Sequence, residues 1–178
     1  MPKIVDHDQK RIEILENSLT IFATHGYAKI SMRQLANELH VTTGSLYHYF
    51  QSKDALFESL LRYLQNKQIT TIVQQVANIT DNTNKLHLLF DFLESEKKQL
   101  CQMLQIIMDY QQIHPDCSQK TLVQGYKLAL EHYFLLTPET SQLFLSVIFG
   151  TLVHNIVGID ISLISVLEQL PISIPHEK

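Results

Sequence analysis

Residues 31–53 read SMRQLANELHVTTGSLYHYFQSK, and their pattern describes two short helices joined by a tight turn. Ser31 is a strong N-cap, and Gln34, three residues on, completes a capping box. Leu35, Ala36 and Leu39 form the apolar face of the first helix, which ends by His40. Thr42 caps the next helix, expected to run to about Tyr49. Two helices crossing at roughly 90–120° need a small residue at the contact and apolar residues around it. Ala36 supplies the first; Leu35, Leu39, Val41, Leu46 and Phe50 supply the second.

The polar positions Thr42, Thr43, Gly44, Ser45 and His48 then gather on the outer face and N-terminal end of that helix. Side chains at the start of such a helix are the ones that reach base edges in a DNA groove. Gly44 lets backbone approach closely, and unpaired N–H groups at a helix N-terminus attract phosphate. Tyr47 and Tyr49 add hydroxyl donors suited to phosphate oxygens, and Arg33 adds a cation. Lys53 falls in the first turn of a following helix, where a cation opposes the macrodipole, so an anion is expected to dock there. The rival arrangement is a plain three-helix bundle with Tyr47 or Tyr49 in its core and Lys53 as a solvated charge.

Outward from this stretch, the chain reads as helical throughout. Ile14, Leu15, Leu19, Phe22 and Ala23 make one stripe over residues 9–25, closed by His25 and a C-cap glycine, Gly26. Ser52 caps a long helix with Asp54 in its first turn, and apolar positions from Leu56 to Val76 carry it to about Asn78. The polar run Thr80–Asn84 is the first break after it. Stripes follow at Leu86, Leu89, Phe90 and Leu93, then at Leu100, Met103, Leu104, Ile107 and Met108, up to His114-Pro115. Leu122, Tyr126, Ala129, Leu130 and Tyr133 make another. Thr137-Pro138-Glu139 is a helix start, and the helix it opens, to about Val157, is apolar on nearly every side. Asp160 is expected to cap a last helix bearing Ile161, Ile164, Leu167 and Leu170, stopped by Pro171.

The chain's 178 residues can bury a real core, and 45% hydrophobic content with only 5 Gly and 5 Pro suits a helical protein. The net charge of −4 is unevenly spread: residues 1–67 hold eight Lys and Arg against seven Asp and Glu, residues 68–178 six against eleven. That excludes a binder driven by bulk charge and leaves room for a few placed cations. Two cysteines, Cys101 and Cys117, are too few for a disulfide framework, which favours a reducing cytoplasm. Leu143 to Val153 is too short to span a bilayer, so no membrane span is expected.

The segment from Arg11 to Leu56 resembles the tetracycline-repressor (TetR) family of bacterial transcriptional regulators. The match runs without a gap through Arg11, Ile14-Leu15, Phe22, Gly26-Tyr27, Ser31-Met32-Arg33, Ala36, Val41, Gly44, Leu46-Tyr47, Phe50 and Ser52-Lys53. His40 departs from it by standing where the family usually has the turn glycine, and Leu39 by replacing a typical alanine. The resemblance implies an all-α, cytoplasmic bacterial homodimer whose third helix enters the major groove of a palindromic operator in double-stranded DNA. It implies DNA contacts by Arg33, Thr43, Tyr47, Tyr49 and Lys53. It divides the chain into a helix-turn-helix domain at 8–68 and a ligand-binding and dimerisation domain at 69–178.

The second part must be argued from its chemistry. Phe90, Met103, Met108, Tyr110, Tyr126 and Tyr133 are candidates to line a pocket for a small apolar or amphipathic ligand, though such residues at helical spacing also build ordinary cores. Ser146, Gly150 and His154 on the apolar helix, with Ile161 and Ile164 on the last one, are candidates for a dimer interface. The alternative is a constitutive DNA binder whose C-terminal half holds a protein partner; an enclosed apolar cavity would favour the ligand. No enzyme, metal or cofactor is expected. His114, Asp116 and Cys117 straddle a proline turn without a second cluster at ligand spacing, and no phosphate loop, nucleophile elbow or carboxylate pair is present.

Overall fold

The computed structural model describes residues 7–116 and 120–170, so Cys117 and the expected stop at Pro171 lie outside the described residues. Among the described residues there are nine α-helices and no strand: α1 His7–His25, α2 Met32–Glu38, α3 Thr43–Tyr49, α4 Lys53–Val76, α5 Asn82–Ser95, α6 Lys97–Ile113, α7 Lys120–Tyr133, α8 Pro138–Ile156 and α9 Leu163–Leu167. The all-α reading therefore holds.

The helices form two compact units, and the chain passes between them more than once. The first takes the described residues up to Leu64 together with 105–116; the second takes Gln65–Leu104 and the described residues from 120 onward. The expected boundary after residue 68 thus differs from the division at Leu64–Gln65. The second half of α6, expected in the C-terminal domain, packs with the N-terminal one. Its apolar stripe runs on evenly, and periodicity says which face is buried but not against what.

In the first unit the capping signals have the geometry that the sequence predicts. Ser31 caps α2, its side chain accepting from the Gln34 backbone N–H, while the Gln34 amide oxygen accepts from the Ser31 N–H at 2.9 Å. Gly26 adopts φ +79° after α1, and Thr42 caps α3 by accepting from the Ser45 N–H at 3.0 Å. Leu35, Ala36, Leu46 and Phe50 are buried as the two-helix contact requires, while Leu39 is only half-buried. Beneath them lie Phe22, Tyr27, Phe57 and Tyr110, each almost wholly buried, with Tyr110 stacked on Phe57 at 4.6 Å between ring centroids. The Tyr27 hydroxyl donates to Asp54, and burial, reinforced by that carboxylate, raises the phenol's pKa.

The second unit is built of the rest of α4, α5, the first half of α6, and α7 to α9. α9 is shorter than expected and starts later: Ser162, not Asp160, is its N-cap, and Ile161 precedes it. The Glu94 carboxylate holds that start, accepting from the Leu163 N–H at 2.7 Å, and Lys97 pairs with Glu94 at 2.8 Å and Asp160 at 3.2 Å. Burial works against ionisation of Glu94, but Lys97 and the two backbone N–H groups of Leu163 and Ile164 outweigh it and lower its pKa. Asp160 is thereby committed to Lys97 rather than to a cap.

After α7, Leu135 takes φ +54°, a left-handed turn usually given to glycine. The backbone closes by a Leu136 N–H bond to the Leu130 carbonyl at 3.4 Å, and Phe134 and Leu136 on either side are buried. Burying both neighbours turns Leu135 outward and holds the strained residue in place.

Gly125 on α7 is fixed by a close approach. A Cβ there would lie 2.6 Å from the Gln65 side-chain nitrogen, which donates to the Leu122 carbonyl at 2.5 Å. Gly125→Ala should push the buried Gln65 amide off that carbonyl and lower stability by about 1–3 kcal/mol, despite alanine's better helix propensity. A urea midpoint equal to or above the parent's would show that the amide finds another partner.

Candidate nucleic-acid interface

The surface is set by what pins α3 from behind. Leu46 is fully buried and Phe50 nearly so, which forces Thr42, Gly44, Tyr47 and His48 outward. Thr43 and Ser45 are half-buried, and Arg33 on α2 is exposed. Tyr47 is 49% exposed and Tyr49 half-buried, so neither is the core residue of the rival three-helix bundle. The outer face is hydroxyl-rich, with backbone N–H groups at its first turn, and can donate hydrogen bonds to phosphates and base edges.

The turn entering α3 tolerates the missing glycine. His40 takes φ +54°, and the 6→1 bond from the Val41 N–H to the Ala36 carbonyl forms at 2.9 Å. Histidine accepts this backbone region better than most residues, and its ring stays exposed to solvent.

Lys53 departs from expectation. Its ammonium donates to the backbone carbonyls of Tyr27 at 2.8 Å and Ile30 at 3.0 Å and lies 4.3 Å from the centre of the Tyr27 ring. Burial lowers its pKa, against the opposing charges of Asp54 and Asp109. A cation at the start of α4 thus has an internal reason: it ties the loop between α1 and α2 to α4. The macrodipole argument alone does not require an anion, although the ammonium carries a third N–H. On the other side of that loop, Asp109 of α6 accepts from the Ala28 N–H at 3.0 Å.

One neighbour of the surface was not visible in the sequence. His7, at the start of α1, places its Nδ1 3.3 Å from the Tyr49 hydroxyl, and its ring lies 5.7 Å from that of His48. Tyr49 is thus held by α1, and the edge of the surface is a cluster of two imidazoles and a phenol. Residues 42 positions apart carry no local signal of such a meeting.

The candidate pocket residues do not converge. Tyr110 is 2% exposed and belongs to the aromatic core of the first unit; Met108, in that same unit, is 48% exposed. Tyr133 is 38% exposed at the end of α7. Phe90 and Met103 are buried in the second unit but do not line its cavity. Of the six, only Tyr126 does. That cavity has about 490 Å³ of empty space, part of it continuous with solvent, within α4, α5, α6, α7 and α8 of the second unit. Small differences in helix rotation decide which apolar residues face a void, and hydrophobic pattern cannot report them.

The candidate interface residues Ser146, Gly150 and His154 do share one exposed face of α8, with Leu143, Val153 and Val157. α8 is therefore not buried all round: Phe144, Leu145, Ile148 and Leu152 face the core, and an apolar stripe opposite them is bare. Ile161 and Ile164 are half-buried. Among the described residues there is no group of three or more metal-ligating side chains and no helix long and apolar enough to cross a membrane. Cys101 is a free thiol whose pKa burial raises.

Residues 14–60 match the family of bacterial regulatory proteins called tetR. The chain is 38% identical over 65 residues to the HTH-type transcriptional regulator YuxN of Bacillus subtilis, covering 36% of this chain and 22% of that one. It is 39% identical over 64 residues to the HTH-type transcriptional repressor Rv1474c of Mycobacterium tuberculosis, covering 35% and 34%. Such matches span about half or less of these relatives' own length. In fold, the chain is similar to a TetR transcription regulator from Haloarcula marismortui, with a TM-score of 0.74 at 18% identity over 91% of this chain and 94% of that one.

Three substitutions separate holding the fold from contacting DNA. Lys53→Ala should lower stability by about 1.5–3 kcal/mol in urea melts of the DNA-free protein, because two charge-assisted bonds are lost. Arg33→Ala should leave that midpoint nearly unchanged while weakening binding to all DNA sequences and flattening the salt dependence by about one phosphate per subunit. Equal melts for Lys53→Ala and the parent would remove the clamp. Gly44→Ala meets no atom within 4 Å in the free protein, so it should raise stability by about 0.5–1 kcal/mol yet weaken DNA binding. Unchanged affinity would mean that no close approach occurs at Gly44.

Proposed function

We propose that this chain, whose residues 14–60 match the tetR family of bacterial regulatory proteins, is a ligand-responsive transcriptional repressor that binds a palindromic operator as a homodimer. The observation that carries the DNA-binding part is α3 itself: anchored by buried Leu46 and Phe50, it turns Thr42, Gly44, Tyr47 and His48 to solvent. Thr43, Gly44 and Ser45 read base edges, while Arg33, Tyr47 and the remaining N–H of Lys53 hold phosphates. Thr42 serves mainly as the cap that keeps this first turn formed.

Dimerisation rests on the bare stripe of α8, where Val157 is 67% exposed and the exposed Gly150 would let a second helix come close. Two copies related by a two-fold axis would place two α3 helices about one DNA turn apart, ~34–36 Å, and a palindrome mirrors that symmetry. The cavity supports ligand response over the alternative of a protein partner held by the C-terminal half. A molecule preferring one arrangement of the second unit would change operator affinity by its differential affinity for the two states. α4 and α6 each have residues in both units and are the natural carriers of that change.

A gel-shift on the region upstream of the chain's own gene, paired with sedimentation of the complex, tests this reading. The expected result is one retarded band with two chains per palindromic site. Retention that is indifferent to sequence, or one chain per site, would contradict it.

A further inference from the structure

The cavity of the second unit is lined by apolar side chains from several helices, among them Ile72 of α4, Leu93 of α5, Leu100 of α6 and Phe144 of α8. Among the described residues its only polar side chains are Gln68 and Tyr126, and no charged one lines it. These two are turned on each other: the Tyr126 hydroxyl donates to Gln68 Oε1 at 2.6 Å, and Gln68 Nε2 donates to Gln99 at 3.3 Å. Gln68 is 5% exposed and Tyr126 half-buried, so the pair satisfies itself largely away from water. Burial, reinforced by the charge of Glu96, raises the Tyr126 pKa, so the phenol stays protonated and adds no charge to the wall.

We propose that the effector is an uncharged, hydrocarbon-like molecule, and that this cavity rejects the ionised form of the same skeleton. Taking a carboxylate out of water costs several kcal/mol unless a cation or several N–H donors receive it. The cavity offers neither. A neutral ring system or chain needs only dispersion contacts and area removed from water, both of which these walls supply. The inference rests on the ligand-responsive reading and narrows it from apolar or amphipathic to uncharged.

Three probes of one skeleton provide the test: naphthalene, 2-naphthol and 2-naphthoate, titrated calorimetrically into the full chain at neutral pH. Naphthalene and naphthol should bind with similar affinity, and naphthoate at least about tenfold more weakly. Ala129→Leu, which narrows the cavity, should weaken the neutral probes by at least about tenfold; should that variant fail to fold, Ile148→Phe makes the same test from α8. Naphthoate binding as tightly as naphthalene, or binding that persists in a folded narrowed variant, would overturn the assignment while leaving ligand response intact. No binding by any of the three, with no fall in operator affinity on adding them, would count against both the assignment and ligand response at this cavity.

Discussion

The packing of four rings, Phe22 of α1, Tyr27 of the following loop, Phe57 of α4 and Tyr110 of α6, is the constraint on which the first unit depends. Each ring is nearly inaccessible, and they meet at centroid distances of 4.6 to 5.7 Å. Aromatic pairs in such offset and edge-on arrangements add to the stabilisation from buried area. With Tyr27 fixed in that cluster, its carbonyl and that of Ile30 are presented to Lys53, and the Ala28 N–H to Asp109. The loop so held delivers Ser31 to the start of α2, and α2 in turn positions α3. The candidate surface on α3 thus owes its shape to rings that never touch it.

That dependence explains what could be read in the sequence. The caps at Ser31 and Thr42, the glycine turn at Gly26 and the buried positions Leu35, Ala36, Leu46 and Phe50 are local, and each follows from residues within four positions of it. The face of α3 follows as well, because anchoring two apolar residues on a seven-residue helix leaves little choice about the rest. The internal partners of Lys53 were not legible for the opposite reason. Its partners lie 26 and 23 residues away, and a macrodipole argument sees only the helix that the lysine starts.

The second unit was less readable throughout. Its helices are placed correctly by pattern, but their mutual rotation is not a local property. Tyr110 reads as a pocket residue and turns out to pack in the other unit; Met108 reads the same way and faces solvent. The start of α9 moved to Ser162 because Lys97 claims Asp160 and Glu94 meets the helix's first N–H groups, a competition settled by residues 63 to 70 positions away. α8 reads as apolar on nearly every side, and apolarity does not distinguish a face buried within a chain from one left for another copy.

The mutual hydrogen bonding of Gln68 and Tyr126 also bears on heat. Polar groups that satisfy each other bind water weakly, and the part of a carbon-walled cavity closed to solvent tends to remain dry. An apolar molecule entering such a space releases few structured waters from the wall. Its association then draws chiefly on new dispersion contacts, with an exothermic signature at room temperature rather than the entropic one of small apolar solutes. The heat-capacity change stays negative, because the guest still leaves water behind.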